Sequence, residues 1–538
     1  MELLEREGPL AALSQAREQA AKGQGSVVLV TGEPGIGKTA LMARFAQDHA
    51  DHGRILWGNC DDLAIPRPLG PFRDLGASIA LDQDHGSPHR FHTILLEELA
   101  APPQPTVLVL EDVHWADQAT IDAITVIGRR IATLPAVLVL TYRSGELDPG
   151  HPLPRALETI RANVSLYLQL VPLSRSAVAH LAGQDADRAY AVTGGNPFYV
   201  TELLAARPAE LPPSVANAVL GRASRLGENS RRLVELVSMV PSRVPAHILD
   251  MVMPDWPSAA EEPERRQLLT VDPHYVRFRH ELARAAIRSS VPAARRRSLH
   301  VEILEALLAR GADPAEIVHH AEAAGNTEAV ASYALVAARR AGAVESNREA
   351  YAHYVRASDF VDRLPPTEQA TLYEELAIAA YKVDRLPEAL TAIRRAIELN
   401  REVGDQRGVG RCTRILSRCH WYVGDGEVAK RYADEAIEIL EPLGESVELA
   451  RAYSGLSQLA MLSADTEGAV KWGKRAVELA DRLGADAVKA HALVNIGSVH
   501  VQTDPDDIST LMEAYHLADK VGIVMRRFGR SSTWVTPP

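Results

Sequence analysis

The sequence predicts a multi-domain α/β + α protein: a parallel-sheet core built around a phosphate-binding loop, then an α-solenoid of paired helices. Three features predict it. Residues Ser26 to Met42 read as a buried strand, a glycine-rich turn and a helix start in direct succession. Continuous apolar runs recur up to residue 170, separated by stretches of helical character, the pattern of a parallel sheet covered on both faces. From residue 346 onward the chain repeats itself with a period near 40.

At 538 residues the chain is too long for one core, so several domains are expected. Hydrophobic residues make up 46% and charged residues 24%, the balance of ordinary soluble protein. A net charge of −12 weighs against a chain dominated by a nucleic-acid-binding face. Cys60, Cys412 and Cys419 form neither a CxxC pair nor a ligand cluster, which points to a reducing compartment. The opening MELLEREGPLAAL has acids where a secretory signal needs bases, and no run is apolar enough for a membrane span. The expected location is cytoplasmic, with no membrane partner.

The glycine-rich loop carries the most specific pattern in the chain. Val27 to Val30 form its strand, and Gly32-Glu33-Pro34-Gly35-Ile36-Gly37-Lys38-Thr39 fills every fixed position of GxxxxGK[ST]. Backbone N–H groups must curl around an anion there, and side chains would obstruct them. Lys38 is placed to reach the β- and γ-phosphates, Thr39 to ligate Mg²⁺, and the helix N-terminus adds partial positive charge. A nucleoside triphosphate is the expected ligand.

Further strands are expected at Arg54–Gly58, Thr106–Leu110, Ala136–Thr141 and Val164–Leu170, the last alternating as an outer strand does. Ligands of such sheets sit at the C-terminal strand ends, where Lys38, Glu111, Asp112 and Arg143 all fall. Glu111, following a buried strand downstream of the loop, is placed to hold Mg²⁺, partly through water. Asp112 beside it is placed to orient or deprotonate the attacking water; as a structural residue it would instead cap a helix. Arg143 suits a γ-phosphate contact, because a planar guanidinium binds phosphate bidentately.

The segments LLEREGPLAAL, GEPGIGKTAL, LVLEDVHWAD, LTYRSGEL, TGGNPFYVTELL and FRHELARAAI occur in that order over residues 3–290. With them the sequence resembles the STAND-class signal-transduction ATPases, in particular the large ATP-binding regulators of the LuxR family. The resemblance implies an AAA/Orc-like ATPase domain over 1–173, a helical lid over 174–210, a winged helix over 211–300 and a helical connector over 301–345. It implies that Arg6 lies near the adenine, although Glu5 stands where a glycine is usual. It implies that Pro197, in Gly195-Asn196-Pro197, packs on the adenine, and that His280 touches the ADP β-phosphate. Hydrolysing relatives place Asp before the base; here the order is Glu111 then Asp112, and the shorter base predicts slow turnover. Arg295 to Arg297, the strongest basic cluster, is expected to serve packing rather than DNA.

Residues 346–538 are read as tetratricopeptide-like repeats. Leu376, Leu416 and Leu456 are spaced by 40, as are Ala389, Ala429 and Ala469, and Ala396, Ala436 and Ala476. Gly404, Gly444 and Gly484 close the units and Gly522 follows 38 later. After Gly522 the run VMRRFGRSSTWVTPP has no helical periodicity; longer relatives are expected to continue into more repeats and a helix-turn-helix, a module these residues lack. Direct DNA contact by this chain is therefore not expected. The expected function is an ATP/ADP switch with slow hydrolysis, self-association controlled by nucleotide, and a protein or small-molecule effector on the concave face of the repeats. The alternative is a protein-binding scaffold with nucleotide as a structural ligand.

Overall fold

In the computed structural model of the chain, residues 3–51, 53–75, 88–102, 105–143, 150–205, 215–520, 526–528 and 533–535 are described. Gly522, the SGEL part of LTYRSGEL and the expected boundary at 210/211 lie outside them. The chain divides into two units: residues 1–85 with 91–349, and residues 86–90 with 350–538.

The first unit is organised by five strands: β1 (Ser26–Thr31), β2 (Arg54–Asn59), β3 (Thr106–Glu111), β4 (Ala136–Tyr142) and β5 (Val164–Gln169). They form one parallel sheet in the order β2-β3-β4-β1-β5. Every residue of β1, β3 and β4 is buried, which is why these three read as unbroken apolar runs. β5 alternates half-buried and exposed because it is an edge. One face of the sheet packs on helix Gln118–Arg130 through Ile121, Ile124 and Ile127, with Leu95 and Leu99 beside them. The other face carries helices Glu7–Ala21 and Lys38–Asp48 through Leu13, Leu41, Met42 and Phe45. Each such buried side chain contributes about 1.5–3 kcal/mol relative to an exposed one.

Beyond the sheet lie helices Arg175–Ala182, Ala186–Thr193 and Pro197–Ala205. A small antiparallel sheet follows, β6 (Val244–Pro245), β7 (Leu269–Val271) and β8 (Tyr275–Phe278) in the order β6-β8-β7. The VDPHYVRF segment is thus the β7–β8 hairpin. Arg295 bonds Glu235 (3.2 Å), Arg296 the Val291 carbonyl (2.9 Å) and Arg297 the Ala324 carbonyl (2.8 Å), so all three engage groups of their own unit.

The second unit is a run of antiparallel helix pairs, including Pro366–Lys382 with Leu386–Glu402, Gln406–Tyr422 with Gly426–Leu440, Val447–Leu462 with Thr466–Leu483, and Asp486–Thr503 with Ser509–Lys520. The repeating alanines are where the pairs close. Ala389, Ala429 and Ala469 are fully buried, and Ser417 and Ser457 donate to the Ala429 and Ala469 carbonyls at 2.6 and 2.7 Å. Asp425 and Asp465 cap successive second helices by accepting from the backbone three residues on. Strands β9 (Arg526–Phe528) and β10 (Thr533–Val535) pair antiparallel in the segment lacking helical periodicity. Among the described residues no helix is long and apolar enough to cross a membrane.

Candidate functional site

The loop after β1 is held open by its glycines. Gly35 has φ +78° and Gly37 φ +98°, a region side chains other than glycine rarely adopt. A Cβ on Gly35 would sit 2.8 Å from Cβ of Phe198, whereas one on Gly37 would meet nothing within 4 Å. Gly37 heads helix Lys38–Asp48 with no side chain capping it, so the first amides of that helix are left for an anion. Lys38 is buried and its Nζ donates to the carbonyls of Gly32 (2.9 Å) and Glu33 (3.2 Å), which curls the loop around the ammonium.

β3 ends in Glu111, which is 4% exposed. The Trp57 indole N–H donates to its Oε2 at 3.1 Å, while Oε1 has no hydrogen-bond partner among the described residues. Burial, with the charge of Asp112 adding to it, pushes the Glu111 carboxyl up to about 7, against the pull of the Thr39 hydroxyl and of Arg277. A buried carboxylate oxygen without a partner, beside a hydroxyl, is an oxygen donor set that suits a hard divalent cation.

Asp112 follows with φ +53°, left-handed backbone that Asp tolerates better than most residues. Its N–H donates to the Thr141 hydroxyl at 3.0 Å, and its side chain keeps 27% exposure, so water reaches it. The helix-cap alternative belongs instead to Asp117, which accepts from the N–H groups of Ala119 (2.9 Å) and Thr120 (3.2 Å). Arg143, just past β4, lays its guanidinium over the Trp115 ring at 4.7 Å.

Sequence reasoning missed His114. Its side chain is 2% exposed, its ring lies 4.6 Å from that of Trp115, and Nδ1 is 3.9 Å from an Asp112 oxygen. Neither ring nitrogen has a hydrogen-bond partner among the described residues. Burial, then the charges of Arg143 and Lys38, push it down to about 3, so the imidazole is neutral. No motif spacing flags this residue; only its surroundings do.

Two segments distant in sequence reach the loop. Pro197 starts its helix, preceded by Asn196, whose side-chain amide donates to the Pro34 carbonyl (3.0 Å). The Phe198 N–H donates to the Gly35 carbonyl (3.2 Å). His280, half-buried, packs against Phe198 with ring centroids 4.6 Å apart and ring planes tilted by 56°, and burial pushes its imidazole down to about 4. Leu282 approaches the same face of Gly35. Arg6 is 3% exposed and donates to the carbonyls of Glu5 (3.0 Å), Ile36 (3.3 Å) and Val171 (2.9 Å), tying the loop to the exit of β5. Glu5, with φ +57°, adopts the backbone a glycine would favour, and its carboxylate accepts from the Ser174 N–H and hydroxyl.

The AAA ATPase domain family matches residues 2–140, and the tetratricopeptide repeat family matches residues 368–441. An uncharacterised protein of Rhizobium meliloti (strain 1021) is 23% identical over 461 residues, covering 70% of this chain and 44% of its own length. The chain thus spans less than half of that relative. Among solved structures, the chain is similar to a signal-transduction ATPase with numerous domains (STAND) carrying a tetratricopeptide repeat sensor, from Pyrococcus horikoshii. That likeness has 13% identity, covers 97% of this chain and 84% of that one, and has a TM-score of 0.44. It is also similar to BtubC (BKLC) from P. vanneervenii, at 18% identity over 46% of this chain and 100% of that one, TM-score 0.31. The chain therefore carries a nucleotide-binding AAA ATPase domain, matched over residues 2–140, together with tetratricopeptide repeats, matched over residues 368–441.

Proposed function

We propose that the chain is a signal-transduction switch of the STAND kind, operated by exchange of ADP for ATP and resembling the LuxR-family regulators. The observation that carries this is the bonding of Asn196 and Phe198 to Pro34 and Gly35. A loop shaped by the phosphates it holds is there bonded directly to a helix start far away in sequence, so a change of phosphate is felt by that helix. ADP favours the docked arrangement, with His280 and Phe198 over the loop, the lid at 174–210 and the winged helix at 211–300 closed. An effector on the repeats shifts the balance to an open, self-associating form only by binding that form more tightly.

Lys38 and the free amides of its helix bind the phosphates, Arg143 contacts the γ-phosphate, and Pro197 and Arg6 flank the adenine. Mg²⁺, held by the Thr39 hydroxyl and the Glu111 carboxylate, neutralises phosphate charge when bound. Asp112, reached by water, accepts the proton of the attacking water; its short side chain makes turnover slow. The test is single-turnover hydrolysis by the full chain and by Lys38→Ala. Slow, Lys38-dependent phosphate release supports the switch; none from the full chain favours the scaffold with structural nucleotide.

A further inference from the structure

Trp115 closes the short helical turn Val113–Trp115 that follows β3. Its N–H donates to the Asp112 carbonyl at 2.9 Å, and Val113 at the start of the turn is fully buried. Ala116 just after it is buried and Asp117 caps the next helix, so the turn is anchored at both ends. The indole itself is half-buried, packed against the core that contains Ile121 and Ile124. Packing therefore fixes the ring at the C-terminal edge of the sheet, where the phosphate loop also lies.

Arg143 reaches that ring from the neighbouring strand. The last pair in the β1–β4 register is Thr31 with Tyr142, so β4 delivers Arg143 where β1 runs into the phosphate loop. The Asp112 N–H, bonded to the Thr141 hydroxyl at 3.0 Å, ties the start of the turn to the same end of β4. The guanidinium carbon lies 4.7 Å from the centroid of the Trp115 ring. His114 packs on the same indole, with ring centroids 4.6 Å apart and planes tilted by 38°. Burial, then the charges of Arg143 and Lys38, keep that imidazole neutral, so it brings no second cation to the ring.

A cation over an aromatic face is held by the ring's quadrupole and not by a hydrogen bond. The guanidinium thereby keeps its planar fork of N–H groups for phosphate oxygens. A long side chain loses rotamer freedom when it binds, and one already held over a ring has less to lose. We infer that Trp115 is a positioning residue for Arg143: its ring presents the guanidinium beside the phosphate loop and so raises the preference for ATP over ADP. ADP has no γ-phosphate for the arginine to meet, so the platform helps the triphosphate alone. This rests on the reading of Arg143 as the γ-phosphate contact and deepens it by naming what presents the arginine.

The test is calorimetric titration of the full chain, with Mg²⁺, using ADP and a non-hydrolysable ATP analogue. Arg143→Gln is expected to lose at least tenfold for the analogue and less than twofold for ADP. Trp115→Leu is expected to lose roughly three- to tenfold for the analogue, with ADP again within twofold. Trp115→Phe, which keeps an aromatic face of weaker attraction, is expected to fall between Trp115→Leu and the unaltered chain. Trp115→Leu added to Arg143→Gln is expected to cost less than twofold more, because the ring acts through the arginine. A purely structural role for the indole would instead lower both nucleotides alike. Analogue binding undiminished by Arg143→Gln would remove the γ-phosphate reading, and this inference with it. With that loss in place, three results would overturn the inference alone. They are undiminished analogue binding by Trp115→Leu, equal losses for ADP and analogue in both Trp115 variants, and losses that multiply in the double variant.

Discussion

The Asn196 side-chain amide donates to the Pro34 carbonyl across 3.0 Å, joining residues 162 positions apart. The same side chain accepts from the Phe198 N–H at 3.1 Å, so one residue both caps its helix and grips the loop. Asn196→Ala removes both bonds, each worth about 0.5–1.5 kcal/mol. The expected result is release of a fluorescent ADP analogue faster by roughly ten- to a hundredfold, at about 1.4 kcal/mol per factor of ten. Unchanged release in a stopped-flow experiment would show that this contact does not govern nucleotide retention.

Lys38→Ala should weaken ATP by roughly ten- to a hundredfold, because a charge-assisted phosphate contact contributes about 1.5–3 kcal/mol. Calorimetry on the full chain checks it, and unchanged affinity would remove the loop from the account.

His114 offers opposed signs. With both ring nitrogens buried and without a hydrogen-bond partner among the described residues, the imidazole carries a desolvation cost of about 1–3 kcal/mol. His114→Leu should therefore raise nucleotide-free stability in denaturant titration while lowering single-turnover hydrolysis at least tenfold. A fall in stability with hydrolysis intact would mean that His114 serves packing against Trp115.

The Ser346 hydroxyl lies 2.8 Å from an Asp117 oxygen and 2.8 Å from a Glu349 oxygen, yet it has one proton to donate. A proton on one of the two carboxyls lets the hydroxyl donate to the other. Asp117 accepts the N–H groups of Leu69, Ala119 and Thr120 whereas Glu349 accepts that of Gln118 alone, which favours Glu349 as the holder of the proton. Burial, then the charge of Asp117, push Glu349 from 4.5 up to about 7. The folded state keeps this proton where the unfolded chain releases it, so the contribution is full below about 4.5 and is lost as pH rises through about 7. Glu111 acts in the same direction. Buried neutral His114, His280 and His491 add stability as pH rises towards 6.5, so Glu349 is read from the difference in urea unfolding between the unaltered chain and Glu349→Gln from pH 5 to pH 8. The stability of the unaltered chain relative to Glu349→Gln should fall as pH rises, by at most about 1.4 kcal/mol per unit; a constant difference would show that Glu349 is already ionised.

Much of the sheet was legible because strands buried on both faces must be apolar throughout, and β1 to β4 differ from the expected runs only by a residue or two at their ends. The phosphate loop was legible because its glycines answer a local backbone demand, as the φ of Gly35 and Gly37 records. The repeats were legible because buried Ala389, Ala429 and Ala469 recur at one spacing. The Asn196–Pro34 bond was not, since no local pattern encodes a contact between segments so far apart. His114 and Trp57 were hidden for a related reason: their part in the site comes from what the fold places around them. Asp117 had a signal, an acid just ahead of helical sequence, but Asp112 stood closer to the strand and drew the reading.

The most direct test of the switch is amide hydrogen exchange at Phe198 and along helix Pro197–Ala205, in the full chain with Mg²⁺ and either ADP or a non-hydrolysable ATP analogue. A switch of this kind gives protection with ADP and at least tenfold faster exchange with the analogue, a difference that Lys38→Ala abolishes. Equal exchange in both nucleotides would contradict it.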